Sequence, residues 1–175
     1  MSEDVMSQPL RLSGIVEESI VDGPGLRYVL FTQGCPHRCR GCHNPQTHSL
    51  AGGFLFTAKN ALEQFDENPL LAGVTLSGGE PFLQAAPLWA VAQGVRERGK
   101  TVVTYTGYTF EALQQMAGND PWIARLLDVT DLLIDGPYME DLRDLELRFR
   151  GSSNQRLLDR AARHRLMTDM TASAS

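Results

Sequence analysis

Alternating β-rich and amphipathic segments, separated by glycine-containing turns, most restrict the folds open to this chain. Strands are predicted at residues 12–19, 27–32, 73–77, 101–105, 131–135 and 145–149. Helices are predicted at residues 57–65, 84–98, 109–116, 121–127 and 155–166. Strands that alternate with helices indicate a parallel sheet with helical crossovers.

The length of the chain limits how far such a sheet can close. A complete eight-stranded barrel takes about 200–250 residues or more, and this chain has 175. We therefore predict an α/β fold, a partial TIM-like β/α barrel with parallel strands, over residues 11–160. Residues 1–10 are predicted to be a flexible leader and residues 161–175 a disordered tail.

Charge and hydropathy exclude several classes of partner. The net charge is −5, so there is no general basic field for nucleic acid. No apolar run reaches the roughly 18 residues of a membrane-spanning helix, and residues 1–10 lack the apolar stretch of a secretory signal. We therefore expect a cytoplasmic protein with reduced thiols and no membrane partner.

Three cysteines, Cys35, Cys39 and Cys42, form a C-x3-C-x2-C motif directly after the predicted strand at residues 27–32. An odd, clustered set is a poor disulfide framework. Cysteine thiolates are the usual ligands of iron–sulfur clusters, and a tight loop brings three of them to three corners of one [4Fe–4S] cube. The fourth iron then has no protein ligand from this motif.

Zinc is the main alternative at these cysteines, and a coincidence of spacing is the other. A structural zinc site takes four ligands. The fourth would come from a nearby histidine, His37, His43 or His48.

A second polar turn, Gly78-Gly79-Glu80, follows the predicted strand at residues 73–77. Two glycines allow the backbone to approach a ligand closely, and the carboxylate of Glu80 offers acceptors for an ammonium group. Carboxyl ends of neighbouring parallel strands share one edge of a sheet. We expect this turn beside the cysteines, although alone it is an ordinary strand-ending turn.

Weaker candidates follow the next two strands. Thr106, with the nearby hydroxyls of Thr104 and Tyr108, is placed either to contact a ligand or to cap a helix. Asp135 is placed either to contact the ligand or to close a turn. Asp22 most simply belongs to a turn, and a role near the site is the alternative.

Several of these segments resemble one known family. Residues 31–36 (FTQGCP), His43-Asn44-Pro45 and residues 21–27 (VDGPGLR) are similar to the activases of glycyl radical enzymes, in the radical S-adenosylmethionine superfamily. The resemblance runs from about residue 14 to about residue 159. It implies a [4Fe–4S] cluster whose open iron chelates the methionine part of S-adenosylmethionine. An electron from the cluster then cleaves the sulfonium to methionine and a 5′-deoxyadenosyl radical.

The same resemblance implies roles for individual residues. Gly78, Gly79 and Glu80 hold the amino group of S-adenosylmethionine, and the backbone of Gly41, Cys42 and His43 lies near the adenine. This chain departs from the superfamily at Gly41, where an aromatic residue is frequent. His43 offers a flat ring one position after the third cysteine, or is an ordinary loop histidine.

Segments in the C-terminal third of the chain resemble one particular group among these activases. Residues 135–138 (DGPY) and 148–155 (RFRGSSNQ) are similar to activases of anaerobic ribonucleotide reductase. This implies that the radical takes a hydrogen from a glycine of the large reductase subunit, with flavodoxin as the low-potential electron donor. We expect residues 148–156 to shape the mouth through which the partner's glycine loop enters.

Three other functions stay open at this stage. One is activation of another glycyl radical enzyme such as pyruvate formate-lyase, which residues 31–45 favour. The others are a small radical enzyme acting on a small molecule and a zinc-bound interaction module. Activases with a ferredoxin-like insert are excluded, because the chain has only three cysteines.

Overall fold

One seven-stranded mixed sheet organises the computed structural model, which describes residues 3–173. The strands are β1 (Pro9–Ser19), β2 (Arg27–Thr32), β3 (Phe54–Thr57), β4 (Gly73–Gly78), β5 (Thr101–Tyr105), β6 (Leu132–Asp135) and β7 (Arg156–Asp159). The helices are α1 (Glu3–Met6), α2 (Ala58–Asp66), α3 (Ala85–Glu97), α4 (Phe110–Ala117), α5 (Pro121–Val129) and α6 (Arg160–Ser173).

The sheet is parallel in its centre and antiparallel at both sides. Its order is β3-β1-β2-β4-β5-β6-β7, with β2, β4, β5 and β6 mutually parallel. Strands β1, β3 and β7 run antiparallel to their neighbours. The sheet is open, since β3 and β7 are its end strands. The α/β class is therefore confirmed, but the prediction of parallel strands holds only for the central four.

One face of the sheet packs against the helices, and the other face lines a cavity. Leu30, Val74, Leu76 and Val102 belong to one hydrophobic core with residues of the helices. Side chains alternate along a strand, so the neighbouring residues point to the opposite face. There, Phe31, Ser77 and Tyr105 line a cavity. The helices thus support one face, and loops cover the other.

Arg27, at the start of β2, ties the central strands together from inside. Its fully buried guanidinium donates to the Thr75 hydroxyl at 3.1 Å, to the Thr101 hydroxyl at 2.7 Å and to the Val74 carbonyl. Burial lowers the pKa of Arg27 to about 10, which leaves it charged at neutral pH. The charge is stabilised by acceptors from β4 and β5.

Several predicted helices form where expected. Thr57 precedes α2 and its hydroxyl accepts a hydrogen bond from the Asn60 N–H at 3.1 Å, which caps the helix as the sequence indicates. Thr109 caps α4 and Asp120 caps α5 in the same manner. Within residues 3–173, no helix is both long and apolar enough to cross a bilayer.

The C-terminal third differs from prediction in two places. Residues 145–149 form turns instead of a strand, and the last strand, β7, lies where a helix was predicted to begin. Tertiary contacts select the strand, because β7 pairs along its whole length with β6. The short strand β3 was not predicted.

Both ends that were predicted to be flexible contain secondary structure where the structure describes them. Val5 and Leu10 are buried in the leader. In the tail, α6 runs to Ser173, because the buried Arg163 donates to the carbonyls of Leu127, at 2.7 Å, and Thr130 at the end of α5. Residues 1, 2, 174 and 175 lie outside the described part of the chain.

Candidate metal centre

A cavity of about 540 Å³ lies at the carboxyl ends of the parallel strands. It opens on the loop-covered face of the sheet. Its walls come from the loop after β2, the turn after β4, the end of β5 and the connection between β6 and β7. Predicted site residues that line it are Cys35, Cys39, Cys42, His43, Gly78, Gly79 and Thr106.

The cysteine loop, residues 34–48, is closed at its base by backbone hydrogen bonds. The Gly34 N–H donates to the Thr47 carbonyl at 2.7 Å, and the Cys35 N–H donates to the His48 carbonyl at 3.4 Å. The buried side chain of Gln33 donates to the carbonyls of Gln46 and Ser49. The loop is thus a closed unit whose three cysteines face one cavity.

All three cysteines are free thiols and half-buried. Burial raises the pKa of the Cys35 thiol, and the nearby carboxylate of Glu80 adds to the effect. Without a metal, Cys35 is therefore protonated at neutral pH. Metal binding would displace this proton, because the thiolate is the ligand form.

The turn Gly78-Gly79-Glu80 lies directly against the base of the cysteine loop. The Gly79 N–H donates to the Thr32 carbonyl and the Glu80 N–H donates to the Gly34 carbonyl, both at 2.8 Å. A Cβ on Gly79 would lie 2.3 Å from the Gly34 oxygen. Glycine is needed here because two backbones meet, a reason that the sequence analysis did not consider.

The carboxylate of Glu80 is buried beside the cavity and surrounded by donors. It accepts hydrogen bonds from the Thr106 hydroxyl at 2.9 Å, the Gly107 N–H at 2.9 Å, the Phe82 N–H at 3.1 Å and His37 Nε2 at 2.7 Å. The Thr106 hydroxyl in turn accepts from the Tyr108 N–H at 3.1 Å. The side chains of Glu80 and Thr106, both predicted to contact a ligand, are thus hydrogen-bonded to other groups of the protein.

Asp135 does not line the cavity. Its buried carboxylate accepts from the Phe110 N–H at 2.7 Å and from the Arg156 guanidinium. It therefore joins the start of α4 to β7. These contacts engage the Asp135 carboxylate within the protein, and its role toward a ligand stays a prediction.

Of the residues on either side of Cys42, His43 lies in the cavity and Gly41 lies at the surface beside it. His43 lines the cavity, and its ring centre lies 4.8 Å from that of Tyr138. Gly41 is exposed and has a φ of +70°. It packs beside the side chain of Glu140, which also pairs with Arg40 at 2.9 Å.

Residues that were candidates for a zinc site do not form one ready-made site. In the part of the chain that the structure describes, no three His, Cys, Asp or Glu side chains form a group that could hold one ion. Of the histidines considered as a fourth zinc ligand, His37 is hydrogen-bonded to Glu80. The three cysteines line one cavity.

A loop that we call the wall loop, residues 136–155, closes the remaining side of the cavity. Leu147, Phe149 and Arg150 line it. The side chain of Gln155 accepts from the Gly151 N–H at 2.9 Å and donates to the Gly136 carbonyl at 3.2 Å. The sequence of residues 148–156 marks this region, but no sequence pattern places Leu147 at the cavity.

Comparison with known proteins agrees with this arrangement. Residues 21–158 match the family described as 4Fe-4S single cluster domain, so the chain has a domain of the iron–sulfur class. The anaerobic ribonucleoside-triphosphate reductase-activating protein of Salmonella typhimurium is 36% identical over 144 residues, covering 78% of this chain and 90% of the relative. Its counterpart in Vibrio cholerae is 37% identical over 145 residues (78% and 89%), and that of Enterobacteria phage T4 is 36% identical over 143 residues (78% and 86%). The chain belongs to the family of anaerobic ribonucleoside-triphosphate reductase-activating proteins.

Proposed function

We propose that this chain is the enzyme that generates the glycyl radical of anaerobic ribonucleotide reductase. It would do so with a [4Fe–4S] cluster on Cys35, Cys39 and Cys42 and with S-adenosylmethionine. The observation that carries the proposal is the meeting of these cysteines with Gly78 and Gly79 in one cavity. Family membership supports the target, since the relatives are named for activating that reductase.

The donor set fits a cluster with one open corner. Three thiols from one closed loop face a cavity of about 540 Å³, a volume in the range of small-molecule sites, about 300–1,000 Å³. When bound, the cluster supplies a low-potential electron, and its open iron offers S-adenosylmethionine a place to chelate. The fold we propose for this chemistry is the partial β/α barrel that the alternation of strands and helices and the chain length predict.

The chain's own residues would then bind and orient the cofactor. An ammonium group needs acceptors, which the donating N–H groups of Gly79 and Glu80 cannot supply, and the carboxylate of Glu80 already accepts from donors of the protein. We therefore assign the amino group to backbone carbonyls of the turn at Gly78 and Gly79. Glu80 and Thr106 support this turn through hydrogen bonds instead of contacting the ligand with their side chains.

The adenine would lie against the third cysteine. His43 and Tyr138 place two aromatic rings on the same wall of the cavity, with centres 4.8 Å apart. Together with the backbone of Gly41 and Cys42, they offer aromatic surface for a purine. The two rings are tilted by 47°, so a planar base would stack on one ring and meet the other at an angle.

The wall loop would meet the partner. Leu147 and Phe149 give the cavity an apolar side, and Arg150 adds a cation. A glycine loop of the large reductase subunit would enter here, because reacting atoms must approach to about 3–3.5 Å. Flavodoxin is the proposed electron donor and the cytoplasm the proposed compartment.

Anaerobic reconstitution tests the proposal. We expect about four irons and four sulfides per chain and cleavage of S-adenosylmethionine on reduction. Mixing with the large reductase subunit should give a glycyl radical signal in electron paramagnetic resonance, and mixing with pyruvate formate-lyase should not. Cys39→Ser is expected to abolish iron binding. A colourless wild-type protein holding one zinc would refute the proposal, and a signal only with the lyase would change the target.

A double variant tests the wall loop separately. Arg150→Ala with Asn154→Ala should leave cluster content and S-adenosylmethionine cleavage at the wild-type level, while glycyl radical formation is lost. Loss of the cluster in this variant would show that the segment maintains the site and does not receive the partner.

A further inference from the structure

A chain of hydrogen bonds runs from inside the cysteine motif to the end of β5. His37, between the first two cysteines, reaches Glu80 with its Nε2 at 2.7 Å. Glu80 in turn holds the Thr106 hydroxyl and the Gly107 N–H. Three neighbouring strand ends, those of β2, β4 and β5, are thereby joined through one carboxylate.

The direction of these bonds follows from the donors present. The backbone N–H groups of Phe82 and Gly107 can only donate, and the Thr106 hydroxyl donates its one proton to Glu80 while it accepts from the Tyr108 N–H. Glu80 is therefore the acceptor in these three contacts. An ionised carboxylate can only accept, so the Glu80 carboxylate takes its fourth hydrogen bond from the His37 tautomer that carries its proton on Nε2.

Packing holds the histidine in this position. The ring of His37 meets Tyr108 edge to face, with centres 4.5 Å apart. It also lies over Gly107, where an added Cβ would come within 2.3 Å of the ring. Only 16% of the His37 side chain and none of the Glu80 side chain is exposed.

We infer that His37 and Glu80 are positioning residues, which hold the cysteine loop against the strand ends of β4 and β5 before any cluster is bound. Glu80 is thus not a direct contact of the sulfonium cofactor. The loop is also held by backbone bonds and by the Gln33 side chain at its base, and by the exposed Arg40–Glu140 pair. The His37–Glu80 bond reaches the segment between Cys35 and Cys39.

The inference rests on the proposed function only in assuming that the cysteines hold a cluster. Its test therefore begins with the protein free of any cluster. Amide hydrogen exchange is measured on the reduced, metal-free chain. Loss of a hydrogen bond to a charged group should speed exchange in residues 34–42 by about tenfold or more. We expect this in His37→Phe, which keeps a ring beside Tyr108 but cannot donate. His37→Gln, which places a donor at a similar reach, should exchange like the wild type.

Further variants separate positioning from other effects. Glu80→Gln should accelerate exchange at least as much as His37→Phe, and the double variant should add little to either, because both remove one interaction. The exposed Gln46→Ala, in the same loop, serves as the matched control and should exchange like the wild type. Urea unfolding of each variant shows that the fold persists, and His37→Phe keeps the test valid if Glu80→Gln fails to fold.

A second readout uses the loaded protein. If the cysteine loop is held by this bond, the resonance spectrum of the reduced cluster should broaden in His37→Phe and recover in His37→Gln. Wild-type exchange and spectrum in His37→Phe would overturn the inference, as would His37→Gln behaving like His37→Phe, which would point to ring packing alone. Failure of the wild type to take up a cluster would refute the proposed function and leave the exchange result standing.

Discussion

Replacing Gly79 by alanine should separate the cysteine loop from the end of β4. The new Cβ would lie 2.3 Å from the Gly34 oxygen and 3.1 Å from the Thr32 oxygen, and both of these atoms are backbone. Ordinary contact begins at 3.4 Å, so the two segments must part by about 1 Å. No side chain can move aside to prevent this, because the overlap is between main chains.

The loss of stability can be calculated from the hydrogen bonds that this separation breaks. The hydrogen bonds from the Gly79 and Glu80 N–H groups, each 2.8 Å long, would stretch beyond the usual limit of about 3.2 Å. Each contributes about 1 kcal/mol, and overpacking adds about 1–3 kcal/mol. We therefore expect the free energy of unfolding to fall by about 3–5 kcal/mol.

Urea unfolding of the metal-free, reduced protein measures this loss. The matched control is Gly14→Ala in β1, because a Cβ on Gly14 meets no atom within 4 Å. The control should stay within about 0.5 kcal/mol of the wild type. Equal midpoints for Gly79→Ala and Gly14→Ala would refute the reasoning that backbone contact requires glycine at position 79.

Three further changes probe the framework, each followed by urea unfolding. Thr57→Ala removes the cap of α2 and should cost about 1 kcal/mol; an unchanged midpoint would mean that water replaces the cap. Arg156→Met leaves the buried Asp135 short of donors and should cost about 1.5–3 kcal/mol, and a smaller loss would show that solvent compensates. Burial raises the pKa of Asp131, but the Val102 N–H and two arginines outweigh it, so the net pKa is lowered. This stabilisation is present above the unfolded pKa of about 3.9 and is lost as the pH falls through the lower folded value. The wild type should therefore lose stability below about pH 4, and Asp131→Asn should lose less over that range. Identical losses of unfolding free energy below about pH 4 in the two proteins would contradict this.

Local patterns were enough to predict the centre of the fold. The strands at Arg27–Thr32 and Thr101–Tyr105 have the predicted bounds, because β-branched and aromatic residues are bounded there by turns. Residues 156–159 were misassigned because a four-residue strand with charged ends carries little periodicity of its own. Its pairing with β6, and the contact of Arg156 with Asp135, are tertiary facts.

The candidate site was partly predictable for a related reason. Placing polar turns at strand ends correctly predicted that the cysteines and Gly78-Gly79 share one cavity. Whether they bind a cluster and S-adenosylmethionine stays a prediction. The partner of Glu80 was not foreseeable, since nothing in the spacing of His37 relates it to a carboxylate 43 positions later.

The wall loop has a consequence for how this protein can be modified. Gln155 and Asn154, at its far end, bond to the carbonyls of Gly136 and Pro137 at its start, so the two ends meet in a clasp. The entropy of closing a loop grows only slowly with its length, but Arg150 and Gly151, inside the loop, also bond to Gln155. A relative's version of the loop could therefore be exchanged between the same two ends only if it keeps these contacts, and it would then bring its own partner preference without disturbing the sheet.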